Sequence, residues 1–405
     1  MDFDQKKRRN AKQLLVLFLF AFALSTRYYV GIVNCLNTTQ YAFSYKYGLI
    51  SRGFLGSVVR LVNWVFSINL LNYDGMVQIA MFLNTLYLLV LFIFFWKILS
   101  RIPQSLENRI LVLFYVFGIF AFPEYLTEEN FGRSDICLVM ITLICCFLLL
   151  KEKGEWLILP LIAVAMAIHQ GYILMFFHVV LVILFVRCFD KEGKEKRKYQ
   201  ILFVSGLLLA VVLLFYFNFF SHQTNMDLYD EIYDNASSYA HDGVVQYNLI
   251  LHEIFGISPA QDEWDEHIHN FVEFPVFFAL MLPYLISAFR FFRNVLREAQ
   301  GKEKLKYLAV AFGAATILPD LIVKIDYGRW MFSIIFYYFI IIAMLLAMGD
   351  PLIRKHFDAI VDEMKKKPYL VVVLLGYPIL FTPLEDVNIC DMTRMIVDHF
   401  IPSIY

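Results

Sequence analysis

The chain has 405 residues, of which 60% are apolar, 17% aromatic and only 18% charged, with a formal net charge of −1. That balance excludes an ordinary soluble protein of this length. A nucleic-acid role has no support either, because the basic residues sit at the ends of apolar runs rather than on a patch.

At the N-terminus a basic cluster, Lys6 to Arg9, precedes an apolar run from Leu14 that looks superficially like a signal peptide. No small-residue cleavage site follows it, and Arg27-Tyr28-Tyr29 leads into more apolar sequence, so an uncleaved first span is expected. A bilayer core of about 30 Å asks for roughly 20 apolar residues per helix. Windows of that kind recur at 13–33, 75–97, 109–126, 135–150, 155–169, 171–187, 200–220, 272–292, 306–324, 329–348 and 368–384. The expectation is an all-α, polytopic integral membrane helix bundle of about 11 transmembrane helices, forming a single domain over 1–405. Its N-terminus (1–12) is cytoplasmic, its first outer loop is 34–74, its large outer loop is 221–271, and its C-terminal tail (385–405) lies outside. With this layout 27 of the 35 Lys and Arg residues fall on the cytoplasmic side of the cell (inner) membrane.

In the first outer loop, Ser57, Arg60, Asn63 and Ser67 recur at helical spacing beside apolar and aromatic residues, a pattern suited to a helix lying in the membrane interface. A further span there would invert every later loop and destroy the charge bias. The segment 221–271 carries ten acidic residues, five histidines and no Lys or Arg. Its stretch Tyr247 to Ile257 is apolar enough to dock back on the bundle, and a structureless loop of this length is not expected.

Six cysteines follow no zinc or CxxC spacing. Cys137, Cys145 and Cys146 read as apolar helix filler, whereas Cys35 and Cys390 share the outer side and could pair in an oxidising compartment. Asp262 to His269 has ligand types for a metal without any definite motif, so solvated acidic sequence is the simpler reading, and a divalent cation is left open as a cofactor.

Four lone arginines stand at the outer face or its rim: Arg52, Arg60, Arg133 and Arg329. The second outer loop packs Glu124, Glu128, Glu129, Arg133 and Asp135 at the mouth of two short helices, where carboxylates could activate a hydroxyl and an arginine hold an anion. Arg52 lies between glycines at the entry to the interfacial helix, and a guanidinium fork suits a phosphate. Asp326-Tyr327-Gly328-Arg329-Trp330 presents an aspartate and an arginine beside two aromatics, and His169-Gln170-Gly171 forms a very short turn whose histidine could shuttle a proton. Each has a plain alternative: a capped polar hairpin, an arginine snorkelling to lipid headgroups, a neutralised pair, or a helix-end histidine.

This pattern resembles two families of polytopic enzymes of bacterial surface-polysaccharide assembly, the GT-C glycosyltransferases and the O-antigen or capsule polymerases. The stretches SRGFLG, GRSD, IHQGY and DYGRW also look like those in membrane proteins of polysaccharide loci. The resemblance implies transfer of a glycosyl unit from a polyprenyl-phosphate- or pyrophosphate-linked donor at the outer face, with membrane lipids and other assembly proteins as partners. The acidic residue usual in the first outer loop of a GT-C enzyme is absent here, since no Asp or Glu occurs from Arg27 to Tyr73. Glu128, Glu129 or Asp135 is therefore the expected base, with Arg52, Arg133 and Arg329 on the phosphate and Asp326 and His169 orienting them. A transporter or flippase for an anionic lipid-linked or small solute, and a non-catalytic assembly subunit, are the alternatives.

Overall fold

A computed structural model describes residues 30–102, 130–257, 262–319, 327–367 and 369. Among these every regular element is helical and no strand occurs. The chain forms two compact units, one drawn from Tyr28–Leu91 and Tyr125–Trp264, the other from Phe92–Glu124 and Asp265–Tyr405.

The first unit begins with α1 (Cys35–Ala42), capped by Asn34, whose side chain accepts from Leu36 N–H at 2.8 Å. After a single 3₁₀ turn at Tyr45–Tyr47 come α2 (Gly53–Phe66) and α3 (Tyr73–Arg101), the last of which belongs to this unit as far as Leu91. Next stand α4 (Asp135–Lys151), α5 (Ile158–Ile168), α6 (Phe177–Asp190) and α7 (Gly193–Phe219), with α7 packed on α5 and α6. Gly206 sets the α5–α7 approach, because a Cβ there would lie 3.2 Å from Ile162 Cδ1.

Two described helices, α3 with 29 residues and α7 with 27, are long and apolar enough to cross a membrane. The expected windows 135–150, 155–169 and 171–187 become helices of 17, 11 and 14 residues. At about 1.5 Å per residue the last two fall well short of a bilayer core. The apolar runs hide their breaks: Gly154 takes φ +72°, and Phe176 at φ −136° splits Tyr172–Met175 from α6. Window 109–126 lies outside the described residues, as do nearly all of 13–33 and all of 368–384 but Tyr369.

Helix α8 (Asp227–Ser237) lies in the polar segment of the first unit. The second unit holds the greater part of α9 (Asp262–Glu298), then α10 (Gly301–Phe312), α11 (Tyr327–Met348) and α12 (Pro351–Lys366). The α11 end and α12 meet at 110°. Gly349 at φ +83° and Pro351 at the first helical position turn the chain, while buried Asp350 caps Leu352 and Ile353 N–H and pairs with Lys306 Nζ at 2.8 Å. If the bent pair is one span, the membrane-competent elements among the described residues number three, fewer than the eleven expected over the whole chain.

The helix α2 carries its polarity on the inside. Ser57 Oγ accepts from Tyr45 N–H, Asn63 Oδ1 accepts from Leu70 N–H, and Arg60 reaches Tyr239, so three of the four stripe residues are engaged by the fold, while Ser67 at the helix end is exposed. Val58, Leu61 and Val65 point outward with Trp64, which is 79% exposed. Close packing makes this possible: a Cβ on Gly56 would stand 2.1 Å from Phe43 O and 2.5 Å from Tyr41 O. Gly56→Ala should therefore destabilise the unit by about 1–3 kcal/mol, whereas exposed Val58→Ala should be nearly silent in a thermal melt of the detergent-solubilised chain. Equal midpoints for the two variants would contradict the close approach.

Candidate functional site

The segment between α7 and α9 does not float. Helix α8 leads to the short helix Tyr247–Ile250, which runs directly into one π-helical turn, Leu251–Phe255. Ile232, Ile250, Leu251, Ile254 and Phe255 pack there against Phe43, Tyr47 and Ile50, so the apolar stretch docks on the connection between α1 and α2. Embedded in this greasy contact is one carboxylate, Glu253, only 5% exposed.

An isolated buried carboxylate is costly, and four side chains answer it. Arg52 NH2 lies 2.9 Å from Glu253 Oε1, with His252 Nδ1 at 3.4 Å from the same oxygen. On the other oxygen, Gln170 Nε2 donates at 3.2 Å, and Ser51 Oγ stands at 3.1 Å while also lying 2.6 Å from Gln170 Oε1. Burial by itself pushes the Glu253 carboxyl up, but Arg52, the His252 contact and the field of His169 outweigh it and hold the group well below the usual carboxylate value of 4.5. His169 closes α5 and accepts from Gly171 N–H through Nδ1 at 2.8 Å, which fixes the turn that presents Gln170.

Arg52 occupies the left-handed region at φ 56° as the residue entering α2, with no side-chain cap. Its successor must be glycine, because a Cβ on Gly53 would meet the Tyr45 ring at 2.8 Å. Such a conformation costs on the order of 1–3 kcal/mol for a residue with a Cβ and persists only where surroundings impose it. The ion pair to Glu253 is the imposing contact. Arg52 Nε remains buried without an acceptor.

A second group forms around the α4 start. Arg133, 5% exposed, donates to Asn130 Oδ1 at 3.0 Å and places Nε 3.4 Å from Asp135 Oδ2, while Asp135 sits in the first turn of α4, where a carboxylate complements the helix dipole. The α1 helix clamps this loop: Asn37 donates to Phe131 O, Tyr41 to Gly132 O at 2.8 Å, and Ser134 to Gln40 Oε1 at 2.6 Å.

A third group surrounds Arg60, two turns beyond Arg52 on α2. Its NH2 donates to Tyr239 Oη at 3.3 Å, and among the described residues its buried Nε has no acceptor and no carboxylate pairs with it. Tyr239 thus serves as acceptor, as does Tyr47, which receives Asn235 Nδ2 at 2.7 Å, so both phenol hydrogens remain to be donated elsewhere. Lys46 stands beside them, paired with Glu231.

Of the residues singled out in the sequence, the structure unites Arg52 with His169 around Glu253, and Arg133 with Asp135. Arg329 lies in the second unit on α11, where its carbonyl accepts from Ser333. Glu128, Glu129 and Asp326 lie outside the described residues, as does Cys390. Asp135, expected as a base, is 1% exposed and held by Arg133, so burial and pairing rather than solvent define its surroundings. Glu253 was not visible as a site residue. Its signal is a single carboxylate inside Leu249–Phe255, a run otherwise apolar but for His252. Among the described residues no group of three or more His, Cys, Asp or Glu side chains is placed to hold a metal. Comparison with protein-family models, curated proteins and solved structures finds no match.

Two outcomes follow from this geometry. Replacing Arg52 with Ala loses the ion pair and keeps the left-handed backbone, whereas Gly loses only the pair, so Arg52→Gly should be more stable than Arg52→Ala by about 1 kcal/mol in thermal unfolding. The Glu253 carboxyl is lowered in the folded state, so its contribution is fully present above the unfolded value near 4.5 and lost as pH falls through the lower folded value. The stability advantage of the native chain over Glu253→Gln should hold from about pH 7 to pH 5 and shrink on further acidification. An advantage that grows in acid would contradict the assignment.

Proposed function

We propose that this chain is a multi-pass membrane glycosyltransferase or polysaccharide polymerase, taking its sugar from a lipid-phosphate-linked donor at the outer face of the cell membrane. In this reading the N-terminus is cytoplasmic, the C-terminus is outside, and the eleven apolar windows include segments that cross only in concert with their neighbours. The observation that carries it is the chemistry of α2. Arg52 and Arg60, about 12 Å apart along one helix, each keep a buried guanidinium Nε–H without an acceptor, while the opposite face of that helix exposes Val58, Leu61 and Val65. An apolar face for the bilayer and guanidinium groups behind it suit a phosphate on a lipid tether.

The proposed step is a substitution at the anomeric carbon. A carboxylate takes the acceptor hydroxyl proton as the new C–O bond forms, and the bond to the donor phosphate breaks with its electron pair leaving on phosphate. Arg60, with the Tyr47 and Tyr239 hydroxyls, stabilises that developing charge. Glu253 is a proposed carboxylate for that proton, freed when the phosphate competes for Arg52. Glu128, Glu129 and Asp135 remain proposed bases of the neighbouring loop, Arg133 and Arg329 proposed phosphate ligands, and Asp326 and His169 proposed orienting groups.

A second reading has a specific observation behind it. Arg52 with Glu253 and Arg133 with Asp135 are already neutralised within the fold, which suits locks in a non-catalytic assembly subunit. Arg60 separates the two readings, because it pairs with no carboxylate among the described residues. Mass spectrometry of lipid-linked saccharides is the test, applied to cells with the native chain, without it, and with Arg60→Ala. Accumulation of an intermediate one sugar short, or of unpolymerised repeats, is expected in both altered strains, with Arg60→Ala present in the membrane at native amount. An unchanged saccharide pool in cells lacking the chain would overturn glycosyl transfer, and a normal pool with Arg60→Ala alone would favour the lock.

A further inference from the structure

The second unit contains a groove that the proposed reaction does not use. It is about 540 Å³ in volume and is walled by the later part of α9, by α10 and by Tyr338 of α11. Tyr338 is fixed there, donating to Ala311 O at 3.0 Å with its ring 5.6 Å from that of Phe292. The polarity of this groove runs in one direction. Arg293, Arg297 and Lys304 line it near Ala299 and Gln300, where α9 gives way to α10, whereas Phe289, Leu308 and Phe312 line it farther along the two helices.

The three cations have no carboxylate among the lining residues. Of the two carboxylates adjacent to them in sequence, Glu298 is engaged by Lys355 and by His356 at 3.2 Å, and Glu303 does not line the groove. The far walls are also uncovered: Phe289 is 67% exposed and Phe312 64%. A positive end joined to an exposed aromatic trough is complementary to one molecule with an anionic head and an apolar tail. Two guanidinium groups and an ammonium favour a phosphate head, and a basic pocket between helices at the membrane boundary is where such a head is met.

We propose that this groove binds an anionic phospholipid, with its phosphate among Arg293, Arg297 and Lys304 and the start of an acyl chain along Phe289, Leu308 and Phe312. The site is distinct from the α2 arginines and does not depend on glycosyl transfer. The bound lipid completes the α9–α10–α11 wall, covering apolar surface that the chain itself leaves open.

Native mass spectrometry of the full chain, released from detergent with added phosphatidylglycerol or phosphatidylcholine of matched acyl chains, tests this. The expected result is retention of phosphatidylglycerol in preference to phosphatidylcholine, with the preference falling on the order of a hundredfold in Arg293→Gln/Arg297→Gln/Lys304→Gln, given roughly one kcal/mol for each of three cations near an anionic surface. Arg290→Gln/Lys302→Gln removes two exposed cations outside the groove and should keep the preference, which separates a site from general charge. Glycerophosphoglycerol, the same head without chains, should not displace the lipid. Equal retention of the two lipids, equal loss in both variants, or displacement by the chainless head would each overturn the proposal.

Discussion

Burying a carboxylate in apolar surroundings is unfavourable unless cations and donors meet it, and removing one partner from a buried pair costs about 3–5 kcal/mol. Glu253 is such a group, and its partners come from three places far apart in sequence: Ser51 and Arg52 before α2, Gln170 in the turn after α5, and His252 beside it. The requirement to satisfy one side chain thus fixes where the polar segment after α7 meets the connection before α2. The apolar cluster of Phe43, Ile50, Ile250 and Ile254 forms around that contact. Hydrophobic burial supplies attraction without direction, and the ion pair supplies the register.

The same contact explains the unusual polarity of α2. Arg52 enters the helix in a left-handed conformation held by Glu253, and Gly53 and Gly56 let the helix lie against the Tyr45 ring and the carbonyls of Tyr41 and Phe43. Rotated this way, the polar residues face the fold and the apolar ones face out. An exposed Val58–Leu61–Val65 face would be a liability in water, and it is what a helix half-immersed in a bilayer interface requires. On this account the arginines of α2 sit behind an exposed apolar surface because a buried carboxylate fixes how the helix is turned.

Much of the helical character was legible from the chain. The apolar runs that become α3 and α7 are long and continuous, and Tyr247 to Ile257 was apolar enough to announce its docking. The count of spans was less legible, because hydropathy windows average over Gly154, His169–Gly171 and Phe176, where the backbone breaks. Arg52 and His169 stood out as polar residues in suggestive turns, but their meeting depended on Glu253, some two hundred residues from Arg52. A lone glutamate in an apolar run signals a buried partner without naming it. The spacing of Ser57, Arg60, Asn63 and Ser67 gave the stripe on α2, yet periodicity alone does not say which face turns inward. Glu128, Glu129 and Asp326 lie outside the described residues.

A double-mutant cycle on Arg52→Ala and Glu253→Gln, read by thermal unfolding of the full chain in detergent, measures the central contact directly. The account predicts a coupling near the upper end of the about 0.5–3 kcal/mol seen for interacting neighbours, with the double variant nearly as stable as the worse single one. Strictly additive losses would mean that the two side chains do not hold each other, and the registration of the polar segment on α2 would need another cause.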